Sequence, residues 1–273
     1  MNRIYLIDCN GISHWQWHSS ATDANGNERT LAEKVTEWWR QFCESMKPTH
    51  AIACFDGRDN WRKQVYAEYK SARAAKPMDE AKIAALKTMP GLWESFGVKV
   101  MHYNTFEADD VIATLCARFG DEAELVTIAT DKDMMQLVEQ LEGGPTQYDP
   151  RPNKANECVY YDAAKVEEKL GVPPHRVAEL LAIMGDASDS VPGIKGIGRV
   201  QAINAIKQTK TANEIFRKAA KHELANILPA NQDKIVAGRA DFDLSLKLVS
   251  LRFDVPVEID INDCALSARE VAA

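Results

Sequence analysis

Four short apolar runs mark the first half of the chain, each closed by polar residues: IYLIDCN, HAIACFDG, VKVMHY and ELVTIATDKD. Their near-continuous hydrophobicity predicts buried strands, and three of them end in an aspartate: Asp8, Asp56 and Asp131. Helix-length stretches lie between or around them at 30–46, 79–96 and 109–119. Strands alternating with helices predict an α/β fold with an open, mainly parallel central sheet flanked by helices. Residues 143–157 are polar and rich in Gly, Pro and Asn, which predicts a loop.

Beyond that point the pattern changes. VPPHRVAELLAIMGD predicts a helix opened by prolines, and VPGIKGIGRVQAINAI a glycine-punctuated turn entering a second helix. Residues 213–226 and 231–250 read as helical, and LVSLRFDVPVEID as a short extended tail. The boundary falls near residue 170: an α/β part over 1–170 and a mostly helical part over 171–273. No low-complexity linker separates them, so the two parts are expected to pack as one unit.

Composition narrows the class. The 273 residues include no apolar segment long enough to span a bilayer, so no membrane role is expected. Six cysteines without a CxxC pair point to reduced thiols in the cytoplasm, not to a disulfide framework or a zinc site. The net charge of −7 disfavours a nucleic-acid partner until its distribution is considered. Residues 58–87 carry eight basic side chains against four acidic ones, and residues 195–221 seven against Glu214 alone. Basic segments flanking an acidic centre suit metal binding beside a phosphate backbone, although two solvated helix faces would read the same way.

The acidic centre is the strongest chemical signal. Asp8, Asp56, Glu107, Asp109, Asp110, Asp131, Asp133, Asp186 and Asp189 form five tight clusters. In open α/β sheets ligands bind beyond the carboxyl ends of the strands, where three of these acids are placed. Capping accounts for one or two of Glu107, Asp109 and Asp110 at a helix start, but not for all three. With Val111, Ile112 and Leu115 buried, Asp109 and Asp110 are expected to project toward the strand ends. Asp131 and Asp133 could be a polar turn. Asp186 and Asp189 end a helix, where the dipole disfavours them, so a compensating cation is expected. Oxygen-only donors favour Mg²⁺.

Two further motifs suit phosphate binding. Gly193, Lys195, Gly196 and Gly198 resemble a helix-hairpin-helix turn whose glycines let backbone amides approach phosphate, with Arg199 opening the basic helix beyond. Tyr69, Lys70 and Arg73 place an aromatic ring beside two cations, as stacking on a base with phosphate contact requires. Each alone reads equally as a tight loop or an amphipathic surface.

Taken together, LIDCNGISHWQWH, KPTHAIACFDG, YKSAR, FEADDVIATL, ATDKDMMQLV, LLAIMGDASDSVPGIKGIG and LKLVSLRFDVPVEI resemble the 5′ nuclease (flap endonuclease) family, in particular the N-terminal nuclease domain of bacterial DNA polymerase I. The resemblance implies a PIN-like, resolvase-like catalytic domain with a helical arch over about 62–90, and a stand-alone enzyme. It implies a first metal site at Asp8, Asp56, Glu107 and Asp109, a second at Asp131, Asp133, Asp186 and Asp189, and Asp110 between them. Mg²⁺ is the implied ion, with Mn²⁺ as substitute, and K⁺ the ion held by the hairpin carbonyls. Lys70 and Arg73 match contacts to the scissile phosphate, Tyr69 is the stacking candidate, and Arg62 lies in the DNA-binding arch. The implied substrate is DNA with 5′ ends or flaps, the implied partner a DNA polymerase, and the implied state a monomer. Two positions depart from the family pattern: Trp15 stands where an arginine is frequent, and Ser190 where an asparagine is common.

Three rivals are weighed against this. A non-catalytic DNA-structure-binding protein on the same fold should lack carboxylates in one site, and none is missing. A phosphatase using Asp8 as nucleophile calls for a second aspartate at position 10, which is Asn10. A ribonuclease of a related fold is disfavoured by the hairpin and its basic helix.

Overall fold

The computed structural model describes residues 2–23, 25–74, 79–138 and 144–266. In chain order the elements are β1 (Asn2–Asp8), α1 (Cys9–His18), α2 (Leu31–Met46), β2 (His50–Phe55), α3 (Trp61–Val65), α4 (Ser71–Ala74), α5 (Glu80–Ser95), β3 (Lys99–His102), α6 (Ala108–Phe119), β4 (Ala123–Ile128), β5 (Thr146–Asp149), β6 (Val159–Tyr161), α7 (Ala163–Leu170), α8 (Val177–Met184), α9 (Arg199–Lys207), α10 (Ala212–Ala219), α11 (Pro229–Ala237) and α12 (Arg239–Val249). They form two compact units, one over 1–60, 78–161 and 251–273, the other over 61–77 and 162–250. The arch expected over 62–90 thus contains α3, α4 and the start of α5, and residues 75–78 within it lie outside the described residues.

The first unit is a six-stranded sheet in the order β3-β2-β1-β4-β5-β6, parallel except for the antiparallel β6. Apolar side chains of β1 point to both faces. Ile4 and Leu6 enter a core with Val111, Ile112 and Leu115 of α6, while Tyr5 and Ile7 enter another with Ile12, Val35, Trp39 and Trp93. Burial on both sides explains why this strand shows no polar alternation. Each large side chain so buried contributes about 1.5–3 kcal/mol. The order of the sheet reverses between β1 and β4, the kind of crevice where ligands bind in such folds. The carboxyl ends of β2, β1 and β4 are adjacent there, with Asp8 level with Cys54.

Local sequence sets the helix ends. Thr30 and Glu33 form a reciprocal capping box on α2, and Gly171 closes α7 in the left-handed conformation at φ 84°. Three expectations are corrected. Residues 9–18 form a helix unforeseen from the pattern, because Asp8 caps it directly off the strand. The polar stretch 143–157 contributes β5, whose Gln147 is fully buried, so a polar sequence pairs as an inner strand. The helix expected over 231–250 is two helices, separated at Gly238. A Cβ there would lie 2.6 Å from the Ile194 side chain, and that close approach explains the glycine. The apolar tail 251–260 forms no strand, although Val255 and Ile259 are buried.

Arg62 is also corrected. It is 2% exposed, and its guanidinium donates to the carbonyls of Leu248 (2.7 Å) and Ser250 (3.1 Å) at the end of α12. A cation there complements the helix dipole, so Arg62 is a structural clamp within the second unit, not a DNA contact. Arg62→Ala should destabilise the protein by about 2–4 kcal/mol, through lost charge-assisted bonds and carbonyls left unsatisfied. Thermal melting checks this, and the folded variant should bind DNA as tightly as the wild type.

Candidate active site

Five acids of the first unit meet at the strand ends. Asp8 closes β1 and caps α1, accepting the Gly11 N–H at 2.9 Å. A Cβ at Gly11 would lie 2.2 Å from the Asp8 carboxylate and 2.9 Å from the Thr130 hydroxyl, so only glycine fits. Asp56 follows β2. Its N–H donates to Asn10 Oδ1 at 3.0 Å, and its carboxylate accepts the Ala108 N–H at 2.9 Å, which fixes the start of α6. Gly57 keeps this exit tight: a Cβ there would lie 2.1 Å from the Tyr103 carbonyl. Asp131 lies in the turn after β4 and accepts the Asp133 N–H at 3.1 Å. That turn is held by Gln147, whose amide donates to the carbonyls of Ala129 (3.2 Å) and Asp131 (2.9 Å).

Asp109 is the centre of this group. Burial, followed by the charges of Asp8, Asp131, Glu107 and Asp56, holds its carboxyl well above the usual carboxylate range. So many acids around one carboxylate call for a counter-ion. The donors are all hard oxygens, which suits a hard divalent cation. Among the described residues, no three such side chains are close enough to enclose an ion. Buried thiols nearby, Cys9 and Cys54, are pushed up by burial and by Asp8, which leaves them poor metal ligands.

Asp110, expected between the two metal sites, holds the start of α6 through two backbone amides. It is 0% exposed. Its oxygens accept the N–H groups of Glu107 (3.4 Å) and Arg252 (3.0 Å), tying α6 to the chain at 252.

In the second unit, α8 leads into a closed turn that carries Asp186 and Asp189. Asp186 and Val191 exchange backbone hydrogen bonds at 3.0 and 2.8 Å. Gly185 at φ 72° and Gly193 at φ 63° make the closure possible, since a Cβ at Gly193 would lie 2.3 Å from the Gly185 nitrogen. The Asp186 carboxylate accepts from the Ser188 N–H (2.8 Å) and hydroxyl (2.6 Å), and Asp189 pairs with Arg73. The dipole penalty expected for these two acids is therefore offset in part by Ser188 and Arg73. The Lys70 N–H donates to the Asp189 carbonyl at 2.8 Å, so Lys70, Arg73 and Asp189 form one constellation.

The two departures from the family pattern have structural explanations. Ser190 sits at φ 58°, where asparagine is better tolerated, and its hydroxyl accepts the Ala72 N–H at 3.1 Å, which anchors α4. Trp15 packs edge-on against Trp38 between α1 and α2. Tyr69 is corrected as a stacking platform: the residue is 5% exposed, with the Lys70 ammonium 5.3 Å from the ring centre. At the hairpin, two amides expected to face phosphate are engaged internally, Gly193 with the Ser245 hydroxyl (2.9 Å) and Gly198 with Gln201 (3.1 Å). The amides of Lys195 and Gly196, both exposed, donate no hydrogen bond among the described residues.

Sequence reasoning missed Gly11, Asn10, Gln147, Ser188 and the pair Asp149/Arg151. For Gly11 a signal existed, a glycine three residues after a strand-ending aspartate. For Gln147 and Asp149 the polar appearance of β5 hid the strand.

Comparison with known proteins places these features in a wider group. Residues 3–171 match the family model for the 5′-3′ exonuclease N-terminal resolvase-like domain, and residues 172–272 that for the 5′-3′ exonuclease C-terminal SAM fold. The chain is 31% identical over 265 residues to Flap endonuclease Xni of Shewanella putrefaciens, covering 96% of this chain and 94% of the relative. It is 29% identical to Flap endonuclease Xni of Shewanella amazonensis, covering 96% and 98%. In fold it resembles the zinc-bound T5 5′-exonuclease, with a TM-score of 0.74 at 19% identity over 91% of this chain and 89% of the other. It also resembles the catalytic core of Rad2 in complex with DNA, with a TM-score of 0.58 at 19% identity over 96% and 84%.

Proposed function

The chain belongs to the 5′-3′ exonuclease family, and from that premise we propose that it is a structure-specific 5′ nuclease, hydrolysing DNA phosphodiesters at 5′ ends and flaps to leave a 5′-phosphate and a 3′-hydroxyl. The observation that carries the reading is the buried Asp109, whose carboxyl feels the charges of Asp8, Asp131, Glu107 and Asp56 where the sheet order reverses. Similarity to Flap endonuclease Xni along nearly the whole chain supports 5′ flaps as substrate.

Asp8, Asp56, Glu107 and Asp109 are the proposed holders of one Mg²⁺, and Asp131, Asp133, Asp186 and Asp189 of another, with Mn²⁺ able to substitute. When bound, Mg²⁺ activates water near neutral pH and neutralises charge on the phosphate. The chain's own residues do the rest. Asn10 and Gly11 keep Asp8 and Asp56 in register, Gln147 fixes the Asp131 turn, and Asp110 anchors the helix that presents Asp109. Lys70 and Arg73 stabilise the charge that grows on the phosphate and leaving oxygen. The exposed amides of Lys195 and Gly196, with Arg199, grip the duplex backbone, and the hairpin carbonyls offer a K⁺ site. A DNA polymerase that leaves 5′ flaps is the natural partner, and a cytoplasmic monomer the natural form.

Given Mg²⁺, a 5′-labelled flap and a nicked duplex should be cut well before a single strand of the same sequence, with 5′-phosphates on the new ends. Equal rates on all three substrates would contradict structure specificity.

A further inference from the structure

We propose that Arg151, clamped by the buried Asp149, binds a phosphate of the substrate strand beside the acid cluster; this rests on the nuclease reading above. β5 ends at Asp149, next to β4 in the sheet. Two residues on, Arg151 turns back across the strand ends. Its Nε donates to Asp149 Oδ1 at 2.9 Å and its Nη2 to Asp149 Oδ2 at 2.7 Å. Nη2 also donates to the Thr130 carbonyl at 2.5 Å, one residue before Asp131, and Thr130 in turn abuts Gly11. The Arg151 guanidinium is raised above its ordinary value, by Asp149 first, with Asp131 contributing.

The two partners differ sharply in exposure. The Asp149 side chain is 8% exposed and that of Arg151 44%. Among the described residues, Nη1 of Arg151 donates to nothing, so two N–H groups remain for a ligand. An arginine serving only solubility needs no buried bidentate holder. Here the holder orders the guanidinium fork before any ligand arrives, which lowers the entropy cost of contacting a phosphate. The surrounding acids repel a nucleic-acid backbone, and a fixed cation beside them offsets that repulsion where the strand must enter.

A purely structural alternative has Arg151 only tying β5 to the Asp131 turn. Salt dependence of flap binding separates the two, measured in chelator so that no cleavage occurs. Arg151→Gln should weaken binding about tenfold, since one charge-assisted contact of about 1.5 kcal/mol is lost, and should flatten the salt slope by about 0.9, the value for one phosphate. Arg151→Lys keeps the charge without the fork, so it should keep the slope and recover part of the affinity. Unchanged affinity and slope in both variants, with cleavage slowed, would overturn the proposal in favour of the structural role. Absence of flap binding by the wild type would instead remove the nuclease reading itself.

Discussion

Asp109→Asn should abolish flap cleavage and, in chelator, yield a more stable protein than the wild type. The activity loss follows from its place at the centre of the acid cluster. Metal-derived charge stabilisation is worth several kcal/mol, so removing a central ligand should slow cleavage by about 10³-fold or more. The stability gain follows from the same crowding. Burial and four neighbouring acids raise the folded-state carboxyl above its unfolded value of about 3.9. Between those two values the folded state binds more protons than the unfolded state, so wild-type stability falls as pH rises through that window. The asparagine variant has no proton to lose there and should keep its stability. Melting both proteins in chelator from pH 4 to 8 checks the sign. Mg²⁺ should then stabilise the wild type more than the variant, which keeps only the second proposed site.

Asp186→Asn with Asp189→Asn should reduce cleavage to a similar extent while flap binding stays measurable. Asparagine keeps the carbonyl-type oxygen that accepts from Ser188, so the 186–191 turn should survive. The Arg73–Asp189 pair is partly exposed on the arginine side, and its loss should cost no more than about 1 kcal/mol. The acids should therefore be lost as ligands without loss of the fold. Single-turnover cleavage and equilibrium binding on the same flap check both halves. Loss of binding with undiminished hydrolysis per bound complex would show that the pair serves grip and not chemistry.

Much of this architecture was legible in sequence because it is written in burial. β1, β2 and β4 are buried on both faces and so appear as unbroken apolar runs, and the acids that end them are conspicuous by contrast. The helices at 31–46, 80–95 and 108–119 follow from amphipathic stretches and caps. What escaped is written in geometry. β5 carries Gln147 and Asp149, polar residues whose partners lie in another segment, so nothing local marks them as inner-strand residues. Arg62 looked like one more cation in a basic run, because the carbonyls of Leu248 and Ser250 that hold it lie far along the chain. Asp109 and Asp110 are adjacent and chemically identical. Only the helix turn separates the carboxylate beside Asp8 from the one turned to the Arg252 amide.

The central claim is that these acids hold divalent ions for phosphodiester hydrolysis. One measurement tests it most directly: single-turnover cleavage of a 5′-labelled flap in Mg²⁺, in excess chelator, and with Mg²⁺ restored. Cleavage that stops in chelator and returns with Mg²⁺ is the predicted result. An unchanged cleavage rate in chelator, or no cleavage under any of the three conditions, would contradict it.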